Sequence, residues 1–124
     1  MVSSNSDSLS FSRELRLLKA SDFSFVFDKP VRIGNRAFTV LSRANLSSSP
    51  RLGLAIAKKQ VKLAVDRNLI KRKIRESFRT NQHNLPNCDF VVMVKRAIND
   101  MSRAEIDSAL QHVWRKARKL CENC

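Results

Sequence analysis

Apolar positions set the period of this chain segment by segment. Phe23, Val26 and Phe27 recur at i, i+3 and i+4. That spacing predicts a short helix starting at Asp22, capped by Ser21 and ended by Pro30. The period then shortens to two. Val31 to Ile33 reads as a strand, Gly34-Asn35 as a turn, and Arg36 to Ser42 as a longer strand. In the longer strand Phe38 and Val40 point to one face, Thr39 and Leu41 to the other. "NLSSSP" is a loop by composition. "RLGLAIAKK" is a strand apolar on both faces, which places it in the middle of a sheet.

From Lys62 to Arg79 the helical period returns, and Leu63, Ile70, Ile74 and Phe78 share one face at about 100° per residue. "LPNC" turns the chain, "DFVVMVKR" is a β-branched strand, and Asp100 to Lys119 is a closing helix. Ser102 and Glu105 form a capping box at its start. Ile106, Ala109, Leu110, Val113 and Trp114 make its buried stripe, and Arg115, Lys116, Arg118 and Lys119 sit at the negative end of its dipole. The order α-β-β-β-α-β-α, without repeats or linkers, predicts an α+β fold: a single domain with a mixed four-stranded sheet packed with helices. The composition predicts a Ser-rich, disordered tail over residues 1–12, the domain over 13–120 and a C-terminal tail over 121–124.

Charge changes this picture. Lys and Arg number 24 against 11 Asp and Glu, a formal net charge of +13 and a pI near 10.7. A small chain with that imbalance repels itself unless something anionic compensates, and nucleic acid fits the footprint. An anionic membrane surface would need a segment with a bulky apolar face left free. No apolar run approaches the roughly 20 residues of a membrane span, and the N-terminus lacks the pattern of a secretory signal. The expectation is a cytoplasmic protein with no membrane partner. Cys88, the Cys121–Cys124 pair, His83 and His112 do not make up a four-ligand zinc site, so no metal is expected and the thiols are free. Neither histidine has a nucleophile beside it, no H-E-x-x-H occurs, and Gly34 and Gly53 are the only glycines. The sequence therefore predicts no catalytic residue, no glycine-rich phosphate loop and no cofactor in the protein.

The basic helix is where the charge is sorted. Asn68, Lys71, Arg72, Arg75 and Arg79 cluster on a stripe roughly 100° wide beside the apolar face, and Arg67 lies on the border. Lys73 points elsewhere, near Asp66 and Glu76. A solvated face would intersperse carboxylates, and this stripe reads as free of them. Lys58, Lys59 and Lys62 extend the positive charge upstream. Cations on a rigid helix contact phosphates and release condensed counterions, and Asn68 adds a donor and an acceptor for sugar or base edges.

"RLGLAIAKKQVKLAVDRNLIKRKIRESFR" followed by "LPNCDFVVMVKR" resembles the protein component of bacterial ribonuclease P, and "RELRLLKASDFSFVF" looks like that family's first helix. The resemblance spans roughly residues 11–120. It implies an RNA-binding subunit of a ribonucleoprotein endoribonuclease whose chemistry, with magnesium ions, lies in the RNA. It implies two partners, ribonuclease P RNA and precursor tRNA, and no required protein partner. It maps RNA contacts onto Arg67, Asn68, Lys71, Arg72 and Arg75, and a cleft for the 5′ leader onto Phe23, Phe27, Thr39 and Leu41. It also implies a left-handed β-α-β crossover, against the general right-handed rule. Two positions depart from the family pattern: Leu69 stands where an arginine is usual, and Leu41 where some relatives carry an aromatic residue. By residue spacing alone, Phe23 and Phe27 read as core. The alternative reading is a ribosome-associated or general RNA-binding protein.

Overall fold

Four extended runs become four strands, and the helical runs pack on them. The structure is a computed structural model that describes residues 20–28, 30–45 and 49–122. Its elements are α1 (Ala20–Phe27), β1 (Val31–Gly34), β2 (Phe38–Ala44), β3 (Arg51–Ala55), α2 (Ala64–Asn81), β4 (Cys88–Val94) and α3 (Arg103–Glu122). Short 3-10 turns, Gln82–Asn84 and Arg96–Asp100, flank β4. The proposed tail at residues 1–12 lies outside the described residues. The helix α3 runs through Glu122, two residues into the stretch assigned to a C-terminal tail.

The sheet order is β1-β2-β4-β3, with β1 and β4 antiparallel to β2 and β3 parallel to β4. This overturns the central placement of the "RLGLAIAKK" strand. It is an edge strand, and β2 and β4 occupy the middle. Its two faces are apolar for another reason. Leu52 and Leu54 join the main core, and Ala55 joins a smaller cluster beneath α1. Burial on both faces follows from cover on both sides of the sheet, and it does not fix a strand's place in the order.

The main core lies between one sheet face and helices α2 and α3. Phe38, Val40, Leu52, Phe90, Val92 and Val94 meet Ile70, Ile74 and Phe78 of α2 and Ile106, Leu110, Val113, Trp114 and Ala117 of α3. Each such side chain contributes about 1.5–3 kcal/mol when fully buried. Phe78, Phe90 and Trp114 pack edge to face, with centroids 5.8–6.4 Å apart. The indole N–H of Trp114 donates to Ser77 Oγ at 2.7 Å, which satisfies its buried polar atom.

Local chemistry fixes the connections. Asn35 Oδ1 accepts from the backbone N–H of Ala37 (3.0 Å) and of Phe38 (2.9 Å), closing the turn between β1 and β2. Its Nδ2 donates to the Ala109 carbonyl at 3.0 Å and so ties that turn to α3. The capping box forms as the sequence predicts: Glu105 N–H donates to Ser102 Oγ at 3.1 Å, and Ser102 N–H donates to Glu105 Oε1 at 2.8 Å. Two expectations fail. Ser21 lies inside α1, because the helix is already wound at Ala20. Leu63 is 60% exposed, because it sits at the N-cap of α2 with extended backbone and never reaches the core face.

Candidate nucleic-acid interface

The helix α2 is pinned by the burial of Ile70, Ile74 and Phe78. Its neighbouring stripe is therefore held at a fixed angle to the sheet. Asn68, Lys71, Arg72, Arg75 and Arg79 line one shallow depression, as the helical wheel predicts. The expectation that carboxylates are missing fails at one residue. Glu76 lies in the same depression and is bidentate to Arg79, which holds the Glu76 carboxyl below its ordinary range and raises the guanidinium above its own. Arg79 is thus partly neutralised. Among the described residues, Lys71, Arg72 and Arg75 have no carboxylate partner. Like charges at i, i+3 and i+4 on one helix cost about 0.2–0.5 kcal/mol per pair, so this triad is under electrostatic strain until an anion meets it.

Arg67 and Lys73 make contacts that their sequence positions do not reveal. Arg67 folds back along its own helix, and its Nη1 donates to the carbonyls of Val61 (2.9 Å) and Lys62 (2.7 Å). It ties the incoming loop to the first turn of α2 and so positions Lys62. Lys73 reaches Asp107 of α3 at 2.9 Å; Asp66 and Glu76 are not its partners.

The flanking lysines gather at the other end of α2. Lys58 and Lys59 lie exposed in the turn after β3, and Lys62 is exposed just before the helix. Lys59 and Lys62 line a cleft with Leu63, Asp66, Arg96 and Asn99. Arg96 was missed by the sequence reading. The signal for it was the parallel register of β3 and β4, with Ala55 opposite Met93, which brings the segments after both strands to the same edge.

The opposite sheet face carries the expected leader residues. Val26 of α1 is fully buried against Leu41 and Val91, with Phe23, Ala55 and Met93 partly buried around them. Leu41 and Thr39 are buried, at 7% and 5% exposure, while Phe27 is 49% exposed. Of the four, then, Phe27 is exposed, Phe23 is partly buried against the cluster that holds Leu41, and Thr39 is buried. Two arginines clamp α1 onto this face. Arg43 donates to the carbonyls of Phe25 (2.7 Å) and Asp28 (2.8 Å) at the helix C-terminus, with its guanidinium 3.9 Å from the Phe25 ring centroid. Arg51 is bidentate to the fully buried Asp89, at 2.8 and 2.7 Å, and lies 3.7 Å from Asp22 of α1. Bonded to Asp89, the Arg51 guanidinium is pushed above its ordinary range. Asn45 Nδ2 completes the site with a 2.6 Å bond to Asp89 Oδ1. The lone acid in "CDFVVMV" was the sequence signal for this site, but only the register that sets Arg51 and Arg43 beside Asp89 reveals its partner.

Among the described residues, no group of three or more His, Cys, Asp or Glu side chains gathers to hold a metal ion. Cys88 is buried and forms no disulfide, and the C-x-x-C pair lies beyond the described side chains. No helix among the described residues is long and apolar enough to cross a membrane.

Known proteins are similar to this chain in sequence and in fold. A family model described as Ribonuclease P matches residues 11–118. The Ribonuclease P protein component of Pectobacterium atrosepticum is 48% identical over 116 residues, covering 94% of this chain and 98% of that protein. Its counterpart in Cronobacter sakazakii is 51% identical over 112 residues, covering 90% and 94%. Among solved structures, the RNase P protein of Staphylococcus aureus aligns with a TM-score of 0.77 at 34% identity, covering 83% of this chain and 94% of that one. The RNase P protein of Thermotoga maritima aligns at 0.71 and 28% identity, covering 82% and 96%.

Proposed function

This chain belongs to the bacterial ribonuclease P protein family, and from that premise we propose how its two faces divide the work of removing the 5′ leader from precursor tRNA. The protein is a subunit of a ribonucleoprotein endonuclease and partners the ribonuclease P RNA. Lys71, Arg72 and Arg75, with Asn68 beside them, hold that RNA by its phosphates. Lys58, Lys59 and Lys62 extend the track, and Arg67 and Arg79 support it from its two ends. The observation that carries this reading is three unpaired cations on a helix whose orientation is fixed by Ile70, Ile74 and Phe78. A phosphate backbone meeting them releases counterions without any reordering of the helix.

The α1 face takes the leader. Phe27 and the open part of Phe23 offer apolar ring surface, while Leu41 and Thr39 are buried in the sheet. Stacking on aromatic rings tolerates many sequences, because every base has a π-face. That property suits a protein meeting many different leaders. On this reading the magnesium ions belong with the phosphates of the RNA subunit. The protein's own contribution is binding and orientation in the cytoplasm, through one domain over residues 13–120.

The test is cleavage of precursor tRNA by the RNA subunit at low magnesium, with and without the protein. Added protein is expected to stimulate removal of the leader. No stimulation would return the chain to a general RNA-binding role.

A further inference from the structure

A groove between α2 and α3 adjoins the stripe and lies apart from the sheet face under α1. Leu69, Arg72 and Lys73 of α2 line one wall, Arg103 and Asp107 of α3 line the other, and the buried Leu110 lies beneath. Its acids are already engaged: Asp107 pairs with Lys73, and Glu76 with Arg79. Arg72 and Arg103 are both exposed, and among the described residues neither guanidinium has a hydrogen-bond or carboxylate partner.

Arg103 stands in an unfavourable place. It is the first residue of α3, at the positive end of the helix dipole, where an acid is stabilising and a cation is not. The groove is also continuous with the stripe, because Arg72 and Glu76 line both depressions. Of the exposed large apolar side chains, only Leu69 belongs to this groove, at 38% exposure. That is too little apolar surface for a protein partner's core contact. It does suit one ribose or base laid between two guanidinium groups.

We propose that this groove is a second RNA contact, which seats a phosphodiester strand of the ribonuclease P RNA between Arg72 of α2 and Arg103 of α3, with Leu69 against the sugar or base. The inference rests on the stripe reading above and widens it from one helix to two. It makes the angle between α2 and α3, set by the Lys73–Asp107 bridge and the shared core, part of how the RNA is recognised.

The test compares the full chain with Arg103→Ala, Arg103→Lys and Arg75→Ala, titrated against ribonuclease P RNA across a range of KCl. Arg103→Ala is expected to weaken binding several-fold and to flatten the salt dependence by about one unit in log–log slope. Arg103→Lys keeps the slope. The melting temperature of Arg103→Ala stays level or rises, because a cation has left a helix N-terminus. If Arg75→Ala loses affinity and Arg103→Ala does not, the groove proposal is overturned and the stripe stands. If neither variant changes affinity or slope, the stripe reading fails with it. Lost affinity together with a lower melting temperature for Arg103→Ala assigns the residue to the fold, and that too overturns the proposal.

Discussion

Replacing Arg51 with alanine strands a charge. Asp89 is fully buried and accepts three hydrogen bonds, two from Arg51 and one from Asn45. The substitution removes the two bidentate bonds and leaves a carboxylate under α1 with only the Asn45 amide. Breaking a buried pair from one side costs about 3–5 kcal/mol. The surviving Asn45 bond and the 27% exposure of the Arg51 side chain set this case at the low end, about 3 kcal/mol. For a domain of this size each kcal/mol moves the melting temperature by roughly 3–5 °C, so a fall of about 10–15 °C is expected. Urea unfolding followed by Trp114 fluorescence reads the loss directly, since Trp114 is the only tryptophan and sits in the main core. The midpoint should drop while the slope with urea stays constant. A double variant, Arg51→Met with Asp89→Leu, removes both ions and should recover most of the loss. A single variant within about 1 kcal/mol of the parent, or a double variant no better than the single, refutes the claim that this pair is a buried, mutually dependent site.

Three further outcomes follow. Phe27→Ala should weaken binding of leader-bearing precursor tRNA by up to about 1–3 kcal/mol per base stacked, and leave binding of mature tRNA unchanged; equal binding of both tRNAs by parent and variant would remove Phe27 from the leader face. Ser102→Ala should cost about 1 kcal/mol of stability by opening the capping box. The partner of Ser102, Glu105, is held below its ordinary range, first by the Ser102 backbone N–H and then by the Ser102 hydroxyl. Its contribution is therefore present above the ordinary glutamate value and is lost as pH falls through the depressed one. Glu105→Gln should flatten that acid limb in a pH series of thermal melts, and an unchanged limb would contradict the assignment.

Periodicity carried the fold because most elements here bury one clean face. Ile70, Ile74 and Phe78 in α2, and Ile106, Leu110, Val113 and Trp114 in α3, sit inside as their spacing predicts. Strand order was not legible. An apolar run such as "RLGLAIAKK" records how many sides are covered, and edge or centre depends on pairing with distant residues. Leu63 misled for a related reason: a wheel assumes the helix has begun, and here it begins one residue later. The same limit governs the site. The wheel correctly groups Asn68, Lys71, Arg72, Arg75 and Arg79, since that is geometry within one helix. It cannot say that Arg67 turns back to the Val61 and Lys62 carbonyls, that Glu76 swings onto Arg79, or that Lys73 chooses Asp107. Those choices are made by side chains reaching across turns or between helices. Arg96 and Arg103 escaped notice because each joins its cleft through tertiary contact alone.

The most direct measurement takes the triple variant Lys71→Ala, Arg72→Ala, Arg75→Ala and follows its affinity for ribonuclease P RNA as salt is raised. The three side chains point away from the core, so the variant should fold with its helix content intact. Binding should weaken at low salt, and the log–log slope should become shallower by about two to three units. An unaltered slope, with the protein folded, would mean that RNA does not settle on these cations.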